Sequence, residues 1–200
     1  QPGWQRLIVK SPTLADRVLE ISDARRKPYL DRILEAGFDG VYLDRVDAYA
    51  HWKDDPATAR ERMIALVEAI AAYARARKPG FLVVPQNGEE LLKSAAYRRT
   101  IDGIGKEDLL FGLGGDGIAN AAEDVRSSAR LLGLARAQGL PVFAVEYIGD
   151  KAQRAKAAAD LEARGFVPLF ASRGLSVPQN TSSTIQAFNT GIDVNTIGNQ

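Results

Sequence analysis

The sequence predicts an α/β protein of the (β/α) TIM-barrel-like type, with about six of the eight parallel strands present in this chain. Three observations lead there. Short apolar runs alternate with amphipathic stretches of about 10–20 residues, the pattern of parallel strands joined by helical crossovers. The runs are continuously apolar, as in Phe81-Leu82-Val83-Val84, which suits a sheet covered on its outer face. Most of the runs end in acidic or amide residues, so polar groups gather at the strand ends where barrels and doubly wound sheets carry their chemistry.

Taken in order, Val18 to Ser22 reads as a strand, with a further short one conceivable at Leu7 to Lys10. Asp23 is the expected cap of a helix from about Arg25 to Ala36, whose Tyr29, Leu30, Ile33 and Leu34 form one apolar stripe. Gly37 stops it. Gly40 to Leu43 is the next strand, ending at Asp44. A loop through Trp52 and Pro56 enters a long helix, about Ala57 to Arg77, with Met63, Ile64, Val67, Ile70, Ala71 and Ala74 inward. Lys78-Pro79-Gly80 ends it, and Phe81 to Pro85 is a strand. Gln86-Asn87-Gly88 then turns into a short helix from about Glu89. Ile101 to Ile104 is a weaker strand running into Gly105-Lys106-Glu107-Asp108. A glycine-rich loop, Gly112 to Gly117, precedes a helix from about Ala121 to Ala137. Pro141 to Tyr147 is a strong strand, Lys151 to Arg164 a helix, and Phe166 to Ala171 the last strand. Residues 1–176 form the expected barrel domain. Residues 177–200, with Asp193 as their one charge and many Asn, Thr, Ser and Gly, read as an extension or tail. The Asn180-Thr181-Ser182 sequon there is a short motif that chance supplies often.

Composition narrows the function. With 26 Lys and Arg against 25 Asp and Glu, the net charge is +1, so no basic excess points to nucleic acid. The chain has no cysteine and one histidine, His51. That excludes disulfide scaffolds, thiolate zinc sites and cysteine nucleophiles, and leaves little material for a histidine metal site or triad. No metal and no cofactor is expected. No apolar run is long enough to span a bilayer, and no signal-peptide pattern opens the chain.

What remains is carboxylate chemistry. Asp44 and Asp47 follow one strand, Asn87 and Glu89 another, Glu107 and Asp108 a third, and Glu146 and Tyr147 a fourth. Glycoside hydrolysis needs one carboxylic acid to protonate the leaving oxygen and a second carboxylate to attack the sugar or activate water. It needs no thiol, metal or imidazole. Tyr42, Tyr49, Trp52 and Tyr147 stand near these ends and suit stacking on sugar rings. Plainer readings stand beside each. Asp44 or Asp47 can be a cap or an ion-pair partner, and Glu107-Asp108 a solvated helix start. Glu146, inside an apolar run, requires a buried partner or a pocket. His51 reads as a surface residue, and Arg60, Arg62, Arg75 and Arg77 as solvated faces. Gly112 to Gly117 lacks the lysine of a phosphate loop and reads as flexible; a phosphate-handling enzyme is the third-ranked reading.

The stretch from Leu30 through Phe38-Asp39-Gly40-Val41-Tyr42-Leu43-Asp44 to Val46-Asp47-Ala48-Tyr49 resembles the signature of glycoside hydrolase family 114, the endo-α-1,4-polygalactosaminidases and their relatives. Val84-Pro85-Gln86-Asn87-Gly88-Glu89, Gly103 to Leu109, Val145-Glu146-Tyr147 and Gly165-Phe166-Val167-Pro168 follow in the family's order, over roughly residues 17 to 175. The resemblance implies a TIM barrel with Asp44 and Glu107 as the catalytic pair and Glu146 as a further acid of the pocket. Asp47, Tyr42, Asn87, Tyr147 and Asp108 would meet substrate. The implied substrate is an α-linked galactosamine-type polysaccharide, and the implied location secreted or periplasmic. The family's first two strand–helix units, with their Gly-Glu-Ala-type acidic motif, have no counterpart in Gln1 to Arg17. The expectation is therefore a barrel completed by a missing segment or a partner chain. The alternative is a non-catalytic carbohydrate-binding or interaction module on a degenerate barrel.

Overall fold

Pro28 opens the structure, a computed structural model that describes residues 28–51 and 55–173. The expected strands at Leu7–Lys10 and Val18–Ser22, the Asp23 cap, Trp52 and the tail with its sequon lie outside the described residues. These form two compact units, the first running to Gly105 and taking in Arg130–Pro141, the second holding Lys106–Ala129 and the residues from Val142 on.

In the first unit, helix α1 spans Tyr29–Glu35. It begins later than the expected Arg25 because Pro28, at ψ 145°, is extended. Gly37, at φ +85°, takes the left-handed position that ends a helix at little steric cost. Strand β1, Gly40–Leu43, follows and buries Val41 and Leu43. A 3₁₀ helix covers Val46–His51. Helix α2, Pro56–Arg75, starts on Asp55, whose side chain accepts from Thr58 N at 3.2 Å, with Pro56 in the first turn where no N–H is missed. Its buried face is Ala59, Met63, Val67, Ile70, Ala71 and Ala74; the periodicity predicts all of these but Ala59, and Ile64, also expected inward, is half-buried. Burying a side chain such as Met63 or Ile70 contributes about 1.5–3 kcal/mol. Strand β2, Leu82–Pro85, lies parallel to β1 with Val41 opposite Val83 and Leu43 opposite Pro85.

After β2 the sequence reading and the structure part. A 3₁₀ helix at Glu89–Lys93 is followed by a separate helix α3, Ala95–Thr100, capped by Ser94 accepting from Tyr97 N at 3.2 Å. The next strand, β3, is Ile104–Glu107 rather than Ile101–Ile104. Both isoleucines are buried, but only Ile104 is in the strand. Apolar content marked the core, and the capped helix displaced the strand by three residues. Asp102 occupies the intervening turn. Its carboxylate accepts from Val83 N at 2.7 Å and pairs with Arg75 at 2.6 Å, while Arg75 Nε also donates to Phe81 O at 3.1 Å. Arg75 is therefore a structural tie between α2, β2 and this turn, not a solvated face. The parallel alignment continues from Gln86 to Gly105, and Asn87 N donates to Gly105 O at 2.8 Å.

In the second unit, β3 enters a three-stranded sheet of order β3-β6-β7, with β6 at Val142–Glu146 and β7 at Val167–Phe170. Strands β6 and β7 are parallel, Phe143 opposite Val167 and Glu146 opposite Phe170. The segment expected to be a flexible glycine loop is an antiparallel hairpin, β4 at Phe111–Gly112 and β5 at Gly115–Ala119. Gly112 and Gly115 pair across it, flanking the Leu113-Gly114 turn, and take positive φ values of +114° and +132° that L side chains rarely adopt. Helix α4 spans Ala122–Arg136, its residues from Arg130 on counted with the first unit. Helix α5, Lys151–Ala163, is capped by Asp150 accepting from Gln153 N at 2.7 Å. Among the described residues no helix is long and apolar enough to cross a membrane.

Candidate active site

The end of β1 is built by a sharp turn. Asp44 is exposed, and its Oδ1 accepts from the N–H of Arg45 at 2.7 Å; Arg45 itself sits at φ +59°. This left-handed step starts the 3₁₀ helix and leaves the Asp44 carboxylate beyond the sheet. Asp47, one turn on, is half-buried and keeps one oxygen, Oδ1, buried without a hydrogen-bond partner. The turn after β2 lies against this segment, since a Cβ on Gly88 would meet Val46 at 3.4 Å and Asp47 N at 3.5 Å. Asn87 and Gly88, at φ +59° and +68°, make that turn. Asn, like Gly, tolerates the left-handed region better than most residues. Tyr42 projects from β1 across to the start of β3. A Cβ on Gly105 would fall 1.9 Å from its hydroxyl oxygen and 2.7 Å from its ring, so Gly105 is the space that Tyr42 fills. Tyr49 is buried, and desolvation pushes its phenol up to about 12. His51 is exposed, as the sequence suggested.

In the second unit the strand ends of β3 and β6 bring four of the expected residues together. Glu107 closes β3, and Tyr147, just past β6, donates its phenolic O–H to Glu107 Oε1. Burial, and then this bond, raise the Tyr147 pKa, so the phenol remains a donor. Asp108 follows at φ +52° with its N–H on Val145 O at 3.0 Å. Its carboxylate receives both terminal nitrogens of Arg173, at 3.1 and 3.2 Å, in the forked geometry that suits guanidinium and carboxylate. Arg173 also donates to Asp116 on the hairpin and lies over the Tyr147 ring, 4.5 Å from its centre.

Glu146 is different. Its side chain is fully buried, at 0% exposure, with Oε1 accepting from Leu110 N at 2.8 Å and Oε2 from Phe111 N at 3.2 Å. The sequence required a partner for a carboxylate inside an apolar run, and the backbone leading into the hairpin is that partner. Two effects oppose each other at this group. Desolvation disfavours the charged form, whereas the two N–H bonds favour it. Desolvation wins, and the pKa rises to about 7.

Arg173 and Asp116 carried no signal in the sequence, because an isolated Arg beyond the last strand and an Asp in a glycine-rich segment are ordinary surface residues. Among the described residues no three His, Cys, Asp or Glu side chains are grouped to hold a metal ion.

An uncharacterized protein of Deinococcus radiodurans is 37% identical over 147 residues, 73% of this chain and 46% of that protein. One of Methanocaldococcus jannaschii is 36% identical over 131 residues, 61% of this chain and 36% of that protein. The chain thus spans less than half the length of these relatives. Among solved structures, the glycoside hydrolase domain of PelA from Pseudomonas aeruginosa superposes with a TM-score of 0.59 at 20% identity, covering 85% of this chain and 76% of that one. A variant of that domain gives 0.61 at 18% identity, over 84% of this chain and 63% of that one. These likenesses establish the fold as the TIM-barrel-like α/β type. The model of the glycoside-hydrolase family GH114 matches residues 15–190, and the chain belongs to that family.

Proposed function

We propose that this chain is the working part of a glycoside hydrolase that cleaves an α-linked galactosamine-type polysaccharide by carboxylate acid–base chemistry. The observation that supports this best is Glu107, at the last position of a parallel strand and oriented by the phenol of Tyr147, in a chain of a glycoside-hydrolase family. A strand end holds a carboxylate on rigid backbone, and a phenolic donor fixes its rotamer, as acid–base catalysis requires. In this reading Asp44 and Glu107 are the catalytic pair of a two-carboxylate mechanism. Glu146 serves as a positioning residue, since both of its oxygens accept from the loop that follows Glu107. Asp47, Tyr42, Asn87, Asp108 and Tyr147 contact the sugar. Action on a polysaccharide goes with a place outside the cytoplasm, and with a barrel completed by further chain or by a partner.

The test is hydrolysis of α-1,4-polygalactosamine by the wild type, Asp44→Asn and Glu107→Gln, followed by reducing-end release. Each substitution is expected to lower turnover by about 10²–10⁴-fold. Undiminished turnover in both variants would remove the two-carboxylate reading. Binding without turnover by the wild type would favour a carbohydrate-binding module instead. The anomer released, followed by NMR, separates a retaining from an inverting reaction.

A further inference from the structure

A cavity of about 400 Å³ opens in the second unit beside the Tyr147 ring, within the usual size range of ligand pockets. Its walls include Asp116, Tyr147, Asp150, Gln153, Ser172 and Arg173. The start of a helix at its edge would ordinarily invite an anion. Here that position is filled by the helix's own cap, with the Asp150 carboxylate accepting from Gln153 N at 2.7 Å. A second carboxylate, Asp116, also lines the cavity, and the Ser172 hydroxyl is buried without a partner. The cavity therefore suits a ligand that brings positive charge and hydroxyl groups. It already holds one cation, the guanidinium of Arg173, gripped by both oxygens of Asp108, by Asp116 and by the face of Tyr147. Two carboxylates and an aromatic face are the groups that bind an organic ammonium. Yet the Arg173 side chain is 44% exposed, so little packing holds it in place.

We propose that Arg173 is a resident stand-in for the ammonium group of an amino sugar. A sugar ring entering the cavity displaces Arg173 and places its own ammonium between Asp108, Asp116 and Tyr147. This deepens the reading of the site as one for an amino-sugar polymer and rests on it. Arg173 thereby sets specificity: a neutral, N-acetylated ring cannot replace the guanidinium, and two carboxylates that share one cation favour whichever cation is present.

The experiment is calorimetric binding of an α-1,4-linked galactosamine tetrasaccharide, and of its N-acetylated counterpart, to wild type, Arg173→Ala, Arg173→Gln and Asp116→Asn. Both Arg173 variants should bind the amino tetrasaccharide several-fold tighter than wild type, and the N-acetylated one unchanged. Asp116→Asn should bind the amino tetrasaccharide several-fold more weakly, and the gain at Arg173 should shrink as salt is raised. Weaker or unchanged binding of the amino tetrasaccharide by both Arg173 variants overturns the proposal, as does an equal gain for the two sugars. Arg173→Gln removes the charge but keeps a polar side chain and part of its stem, so it serves if the alanine variant does not fold. The readout is binding, so an absence of hydrolysis in wild type would sink the catalytic reading while leaving this result intact.

Discussion

Two glutamates of the second unit end neighbouring strands, and their surroundings differ completely. Glu107, at the end of β3, is only partly buried and meets the phenol of Tyr147. Glu146, at the end of β6, is fully buried and gives both oxygens to the N–H groups of Leu110 and Phe111. In sequence Glu146 closes an apolar run, whereas Glu107 follows a glycine and a lysine. The contrast teaches that a strand end offers a position, and the neighbouring side chains and backbone assign the role. A carboxylate whose lone pairs are committed to backbone donors holds a loop. One that is partly exposed and meets a phenolic side chain stands at the surface of the strand end.

The contrast can be broken most sharply by activity. Glu107→Gln should cost about 10²–10⁴-fold in kcat on polygalactosamine, whereas Glu146→Gln, which retains an accepting oxygen, should cost about tenfold or less. Equal losses would erase the distinction. Stability should show the opposite order. Glu146→Ala strands two buried N–H groups and should lower unfolding free energy by about 2–4 kcal/mol. Glu107→Ala should stay within about 1 kcal/mol in denaturant titration.

The pH dependence sharpens the same point. The Glu146 pKa lies at about 7, above its ordinary 4.5, because burial favours the neutral form. Between pH 4.5 and 7 the folded chain therefore binds more protons at this site than the unfolded chain. Its contribution to stability is fully present below the unfolded value and is lost as pH rises through 7. Melting temperature measured across this window should fall with rising pH in the wild type, relative to Glu146→Gln. Parallel curves would show that the group does not titrate there. The smallest effect is expected at the partner of Glu107. Tyr147→Phe removes one hydrogen bond and should lower kcat by about tenfold, with little change in melting temperature.

A similar lesson comes from the first unit, in the glycine that the sequence showed only as part of a short motif. Gly105→Ala would put a methyl group against the Tyr42 ring and hydroxyl. It should cost about 1–3 kcal/mol and displace Tyr42 from its place over β3. Tyr42→Phe combined with Gly105→Ala should recover only part of that loss, because the ring carbons themselves lie within 3 Å of the added atom.

Much of this was legible in the primary structure. Periodicity placed the long helix and its inward face, and continuous apolar runs placed β1, β2, β6 and β7 to within a residue or two. These signals are local, since each repeats along a single element. Strand β3 escaped because Ile101 and Ile104 are both buried for different reasons, one at the end of a helix and one in the sheet. The hairpin escaped because a run of glycines marks a bend in the chain without showing whether the segments on either side pair as strands. At the site, the residue types were readable while their partners were not. By itself the sequence determined the fold class and the strand ends that carry acids. Tertiary structure alone decided that Glu146 holds the loop after Glu107, that Arg75 ties a helix to a strand, and that Arg173 meets Asp108, 65 residues away. Such pairings join residues far apart in the chain, and no periodicity within one element records them.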